Sequence, residues 1–285
     1  MNLYSLINKF WRRSPEYNLS AFLNGFKKRK AIPEFERLVD FPRFKETSTE
    51  FLDKKIKLVD AASFLFLYKE IFEEEIYNFV SETDQPYIID GGANIGLSVI
   101  YFKRIYPGAE MLAFEPDPYI FGVLKDNLKS FGFSDVTLLE RGLWKENGQM
   151  KFYAEGSDGG RLALDSDVNN IVSVKVVSLK KYLGKPVDFL KLDIEGAETE
   201  VLEDCRDLLK NVKNIFLEYH SFSKSPQRLD VILRILKEAG FRYQIHHIGV
   251  LSKHPFVEQK SLNSMDMQLN IFGFRTVKEM SNKRR

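Results

Sequence analysis

Apolar and polar positions follow two different rhythms along the chain, and the change falls near residue 85. Before it, "TEFLDKKIKLVD" (49–60) alternates on either side of Asp53-Lys54, which predicts two strands joined by a tight turn. "SFLFLYKEIFEEEIYNF" (63–79) has the apolar density of a packed helix, and residues 1–30 also read as helical. After residue 85, short apolar runs alternate with helical patterns. "YIID" (87–90) predicts a buried strand, followed by a glycine turn and a helix. "MLAFEPDP" (111–118) predicts a second strand. Its helix takes Asp117 as N-cap and Pro118 as first residue, shows Phe121, Leu124, Leu128 and Phe131 on one face, and stops at Gly132. "VTLLERGLW" (136–144), "VDFLKLD" (187–193) and "NIFLEYH" (214–220) predict further strands, with helical patterns after 193 and 228. "YQIHHIG" and "MQLNIFGF" close the chain as an antiparallel pair.

Strand–helix alternation of this kind builds a parallel sheet with helices on both faces, and ligands bind where its strands end. The chain therefore divides into an N-terminal cap (1–84), an α/β domain (85–278) and a short basic tail (279–285). With 285 residues and 44% hydrophobic positions there is material for one large domain. A single cysteine, Cys205, excludes an intrachain disulfide, and no Cys/His cluster has zinc spacing. No apolar run is long enough to cross a membrane, and the N-terminus lacks a signal-peptide pattern. A cytoplasmic location and no nucleic-acid partner are expected. The net charge of +2 is uneven. Lys9, Arg12, Arg13, Lys27, Lys28, Arg29 and Lys30 face only Glu16 within residues 1–30. That arm is either a solvated helical extension or a weak contact with an anionic membrane surface.

The turn "DGGANIG" (90–96) carries the chemistry. Gly91 and Gly92 allow a tight turn and close ligand approach, and Gly96 allows close packing of the helix. The dinucleotide pattern G-x-G-x-x-G fails at its middle glycine, where Ala93 stands. Charge discriminates further. Asp90, Glu115, Asp193 with Glu195, and Glu218 all fall at strand ends on one rim. Converging carboxylates disfavour a pyrophosphate and favour a cationic ligand. Glu115 also stands where an acid can bind a ribose diol. S-adenosyl-L-methionine, with a ribose, a sulfonium and an ammonium, meets both conditions.

"IIDGGANIGLSVIYF", "FEPDP", "LLERGLW" and "VDFLKLDIEGAETEVL", in this order, resemble the FkbM-type family of S-adenosylmethionine-dependent methyltransferases. The resemblance spans roughly residues 55–274. It implies a class I methyltransferase (Rossmann-like) sheet of seven strands, mostly parallel with one antiparallel. It also implies O-methylation, often of sugars or polyketide-derived compounds. The segment "SLKKYL" (178–183) departs from the family's acidic "LDD". Ser178 can replace those acids if they serve only as helix caps.

The cofactor-binding candidates are Asp90, Gly91, Gly92, Asn94, Glu115 and Trp144. Asp90 either contacts the methionyl part or fixes the turn. Asn94 either bonds the ligand or accommodates an unusual backbone angle. Trp144 either stacks on adenine or packs in the core. The catalytic candidates are His220, Asp193 and Glu195. His220 is the expected base for a hydroxyl acceptor, with no metal required. The rival account is a divalent ion held by Asp193, Glu195 and Glu218. Arg161, after the loop "GSDGG", either holds an anionic substrate or lies on a surface turn. The expected function is transfer of a methyl group to a hydroxyl of a sugar, glycan or related product. The alternatives are an NAD-dependent sugar oxidoreductase and a non-catalytic partner-binding protein with the same fold.

Overall fold

The computed structural model describes residues 33–154, 160–162, 170–261 and 264–275. The basic arm, the tail from 279 and most of the "GSDGG" loop lie outside the described residues. The chain opens with α1 (Pro33–Val39), the hairpin β1 (Thr47–Phe51) and β2 (Lys54–Leu58), and α2 (Ala61–Tyr68). Asp60 caps α2 by accepting from Ser63 N at 2.9 Å, and it also binds Arg43 Nε at 2.7 Å. The predicted long helix over 63–79 is cut short. A π-helical turn (Lys69–Glu73) follows α2, and Glu75 takes a positive φ of 52° and opens a turn in which Asn78 N donates to Glu75 O at 2.8 Å.

The α/β rhythm then begins with β3 (Tyr87–Gly91), α3 (Leu97–Ile105), β4 (Glu110–Phe114), α4 (Pro118–Phe131) and β5 (Thr137–Leu139). Asp117 accepts from Tyr119 N and Ile120 N at the start of α4, and Gly132 ends it at φ 80°. The predicted strand over 136–144 is two strands in two sheets. The chain breaks at Glu140-Arg141, with Arg141 N donating to Leu139 O. β6 (Gly142–Trp144) then joins β7 (Gly148–Tyr153), β8 (Arg161–Leu162) and β9 (Ile171–Ser178) in a second sheet. The main sheet resumes with β10 (Val187–Leu192), α5 (Glu198–Cys205), β11 (Val212–Phe222), α6 (Leu229–Glu238), β12 (Arg242–Ile248) and β13 (Met265–Phe274). At "SLKKYL", Ser178 Oγ accepts from Lys180 N and so caps the short 3-10 turn that follows.

The strand order is β12-β13-β11-β10-β3-β4-β5, and β13 alone runs antiparallel to its neighbours. This is the seven-stranded class I methyltransferase sheet. β3 stands between β10 and β4, where the winding reverses, so the crevice opens at the carboxyl ends of β3 and β10. Alternation along the strands separates two cores. Ile88, Met111, Phe189 and Phe216 face α3, α4 and the N-terminal elements. Ile89, Leu190, Leu217 and Ile271 face α5 and α6. The N-terminal elements share the first core, since Phe35, Phe51, Phe64 and Tyr77 are buried with Val99 and Phe102. Asn127 of α4 fastens the hairpin to the glycine turn. Its amide donates to Lys57 O at 3.0 Å and Ile95 O at 2.9 Å, and it accepts from Lys57 N at 2.8 Å.

Candidate active site

The ends of β3, β4, β10 and β11 enclose one cavity, roofed by Phe66, Leu67, Ile71 and Tyr77 from the N-terminal elements. Gly92 and Ala93 turn out of β3 by donating to Phe114 O at 3.1 and 2.9 Å. Gly92 has φ +86°, and a Cβ there would lie 1.8 Å from the Asp193 carbonyl oxygen. Close approach of β10, not of a ligand, is thus what demands this glycine. Gly96 packs against Leu124 and Leu128 of α4 rather than against the strand. Asn94 takes φ 48°, so its backbone angle is the unusual one considered above; its Oδ1 accepts from Ile95 N at 2.6 Å.

Glu115 lines the cavity with both carboxylate oxygens anchored. Oε2 accepts from Asn94 N at 3.0 Å and Oε1 from Asp117 N at 2.9 Å. Each oxygen keeps a further lone pair for a ligand hydroxyl. Burial pushes its pKa up to about 8, against those two donors, which favour the charged form. Asp90 is fully buried and does not line the cavity. It accepts from Ser98 Oγ, and its Oδ1 faces the Lys191 ammonium at 3.3 Å. Asp90 therefore fixes the turn. Gly91 also stands behind the cavity wall. Trp144 packs against Phe152, Val174 and Val176, and it is Leu143 beside it that reaches the cavity.

Lys191 is the site residue that sequence reasoning missed. It is buried between Asp90 and Asp193, 3.3 Å from a carboxylate oxygen of each, and donates to Gly92 O at 2.8 Å. Burial alone would lower its pKa, but Asp90 and Asp193 outweigh that and raise it. A lone lysine in the otherwise apolar run "FLKL" (189–192) is the signal that could have found it. Glu70, from the π-helical turn, is also buried and has its pKa pushed up to about 9 by burial and by Glu218. Nothing local in the sequence announces that influence, because only the packing of the N-terminal elements brings Glu70 near Glu218.

Asp193 and Glu195 line the cavity, and Glu195 stands at φ 55°, in the left-handed region that non-glycine residues rarely adopt. Glu198 binds the Ile194 and Gly196 amides and so shapes this loop. Burial and Glu218 push the Asp193 pKa up. His220 does not line the cavity, and its side chain has no exposed surface. Its Nε2 lies 3.2 Å from Glu218 Oε1 and 3.5 Å from Glu195 Oε2, and its Nδ1 lies 3.6 Å from Glu198 Oε1. Burial would lower its pKa, but the surrounding carboxylates, Glu195 first, raise it well above the usual histidine range. The expectation that His220 is a base titrating near neutrality is corrected on both grounds: it is screened from the cavity, and these neighbours favour its protonated form. One donor atom each from Asp193, Glu195 and His220 lie within 4.8 Å of one another, a set that could hold a metal ion. Arg161 lies over the rings of Tyr153 and Phe222, 5.0 and 5.4 Å from their centroids.

A family model described as "Methyltransferase FkbM domain" matches residues 90–243. "Methyltransferase sdnD" of Sordaria araneosa is 35% identical, over 52% of this chain and 72% of its own length. "31-O-demethyl-FK506 methyltransferase FkbM" of Streptomyces tacrolimicus is 24% identical, over 64% of this chain and 84% of its own. A solved FkbM methyltransferase from Methylobacillus flagellatus matches with a TM-score of 0.45 and 18% identity, over 68% of this chain and 45% of its own. Among the described residues no helix is long and apolar enough to cross a membrane. The match over more than half of its length places the chain in the FkbM methyltransferase family, enzymes that use S-adenosyl-L-methionine.

Proposed function

We propose that the protein transfers the methyl group of S-adenosyl-L-methionine to a hydroxyl oxygen of a sugar, glycan or related small biosynthetic product. The observation that carries this reading is the division of one cavity into two polar ends. At one end Glu115 presents two anchored carboxylate oxygens beside the Gly92–Asn94 turn, the chemistry that accepts a ribose diol. At the other, Asp193 and Glu195 present carboxylates to whatever acceptor enters under the N-terminal roof. The donor supplies an electrophilic methyl carbon on a sulfonium. An acceptor hydroxyl forms a bond to that carbon as the carbon–sulfur bond breaks, the electron pair staying on sulfur, and the hydroxyl proton leaves. Asp193 and Glu195 orient the hydroxyl and receive its proton, while Lys191 holds Asp193 and His220 holds Glu195 in place. Most of the rate enhancement comes from proximity and in-line orientation. The printed name of the Streptomyces relative, a 31-O-demethyl compound's methyltransferase, supports oxygen as the acceptor atom.

Glu115→Ala tests the cofactor end directly. Calorimetric titration with S-adenosyl-L-methionine should show affinity weakened by about 1.5 to 3 kcal/mol, the scale of hydrogen bonds to a charged group. Equal affinity in both proteins would remove Glu115 from the cofactor site.

A further inference from the structure

The main sheet ends differently at its two edges. β5, at one edge, offers three residues before the chain breaks at Glu140-Arg141 and leaves for the second sheet. β12, at the other, runs for seven residues, Arg242–Ile248, in unbroken register with β13, and no described strand pairs with its outer side. Six of the seven are exposed, so both faces of the strand meet solvent. Sheets commonly blunt such an edge with a proline, a bulge, a lysine or an inward charge, because its free N–H and C=O groups otherwise template another strand. "RYQIHHI" (242–248) has no proline, lysine or acid, and its register shows no bulge.

Exposed apolar surface gathers at the same place. Of the nine large apolar side chains exposed among the described residues, five fall between residues 243 and 257: Tyr243, Ile245, Leu251, Phe256 and Val257. Phe256 and Val257, in the chain that leaves β12, stand almost wholly in solvent. The strand is also its own complement. Laid antiparallel on a second copy about Ile245, Tyr243 meets the partner's His247, Gln244 meets the partner's His246, and Arg242 meets the partner's Ile248. Ile245 meets its own counterpart. Aromatic, apolar and polar pairs then face each other, and the strand's one full charge, Arg242, lies at the far end from its copy. In-register parallel pairing would set the two arginines side by side. The antiparallel arrangement closes with two-fold symmetry and leaves neither β12 edge open, which selects a second copy of this chain as the occupant.

We propose that the protein is a two-fold homodimer in which β12 of one copy pairs antiparallel with β12 of the other, centred on Ile245, and so joins the two seven-stranded sheets. β12 and β11 run the same way, because each is antiparallel to β13. Joining two copies through antiparallel β12 strands therefore points their cavity rims in opposite directions. Each cavity stays open, and cofactor binding does not depend on the pairing. The interface goes beyond the proposed methyl transfer and does not rest on it.

Sedimentation velocity of the full chain across a micromolar concentration series should show a dimer, and a monomer throughout would overturn the proposal. Ile245→Lys sets a charge against its own copy at the two-fold axis. Because Ile245 is 39% exposed, the lysine is tolerated by the single chain. It should weaken association at least about tenfold, while S-adenosyl-L-methionine affinity stays within twofold. A dimer as tight as wild type would mean that another surface joins the copies, against the proposal. Cysteine cross-linking reads the register independently of that variant. Directly opposed residues stand about 4.5 to 5.5 Å apart between Cα atoms, within disulfide reach, whereas Tyr243 and its counterpart, four positions apart along the strands, stand about 13 Å apart. The native Cys205 is buried and takes no part. Mild oxidation should give a covalent dimer of Ile245→Cys and none of Tyr243→Cys, and any other pattern overturns the pairing. Hydrogen exchange tests the chain itself as a rival occupant: β12 amides protected in a monomer would give the edge to another segment of the same chain and sink the homodimer.

Discussion

Glu115 responds to pH in two opposed ways, because its folded pKa of about 8 lies above the ordinary 4.5. Between those values the unfolded chain has already lost the proton that the folded chain keeps. Stability contributed by the neutral carboxyl is therefore full below pH 4.5 and is lost as pH rises through about 8. On the proposed role of Glu115 cofactor binding runs the other way, since diol hydroxyls donate to the ionised form, so affinity should rise over the same window. Denaturant titrations and calorimetry at a series of pH values should show the two slopes, and Glu115→Gln should flatten both. Slopes that persist in that variant would assign them to another group. Lys191 gives a second prediction at this scale. Lys191→Met leaves the buried Asp90 and the partly buried Asp193 without their cation, and unfolding free energy should fall by roughly 3 to 5 kcal/mol. The double variant with Asp90→Asn should recover part of the loss. No recovery would mean that the lysine acts through packing rather than through charge.

The glycine turn between β3 and α3 is the element on which both ends of the cavity hang. From the sequence, Gly92 is expected to leave room for a ligand, so that a larger residue would spoil binding and spare the fold. The structure reverses this, because the Cβ of any other residue meets the Asp193 carbonyl at 1.8 Å. Gly92→Ala should already lower the thermal midpoint, and Gly92→Val should prevent cooperative folding. A Gly92→Val protein that melts like wild type but binds no cofactor would restore the ligand-contact reading. The turn brings the two ends together because Asp193 N donates to Gly91 O at 3.1 Å while Gly92 N donates to Phe114 O at 3.1 Å, tying β10 and β4 to the same two glycines.

At the scale of the molecule, the described N-terminal elements share the hydrophobic core of the sheet and are not an attachment to it. Phe51, Phe64 and Phe72 pack edge-to-face, Phe72 meets Tyr101 of α3, and Tyr77 meets Phe216 of β11. Residue 84 marks no break in packing: Phe66, Leu67, Ile71 and Tyr77 line the same cavity as the strand ends. A chain beginning at residue 85 would expose Val99, Phe102 and Phe216 to water, an apolar area too large for a stable domain to leave open. Such a chain should show no cooperative thermal transition by circular dichroism. A sharp transition near that of the full chain would make the N-terminal part an independent cap.

Most of the fold is legible in the sequence because its signals are local. Period-two and period-3.6 patterns, the Asp117 cap and the Gly132 stop each depend on a few adjacent residues. The acidic strand ends are legible for the same reason, since a parallel sheet gathers the carboxyl ends of its strands on one rim whatever else it does. Three matters were decided only by tertiary structure. The run 136–144 divides between two sheets because β5 finds β4 while β6 finds β9, a choice of distant partners. Asp90 turns inward because Lys191, a hundred residues away, needs a counter-charge. His220 is enclosed, with its protonated form favoured, because Glu195, Glu198 and Glu218 converge on it from the loop after β10, the start of α5 and β11. A side chain's charge state depends on the dielectric and the charges around it in space. Sequence supplies which groups exist, and only the packed chain fixes which of them face one another.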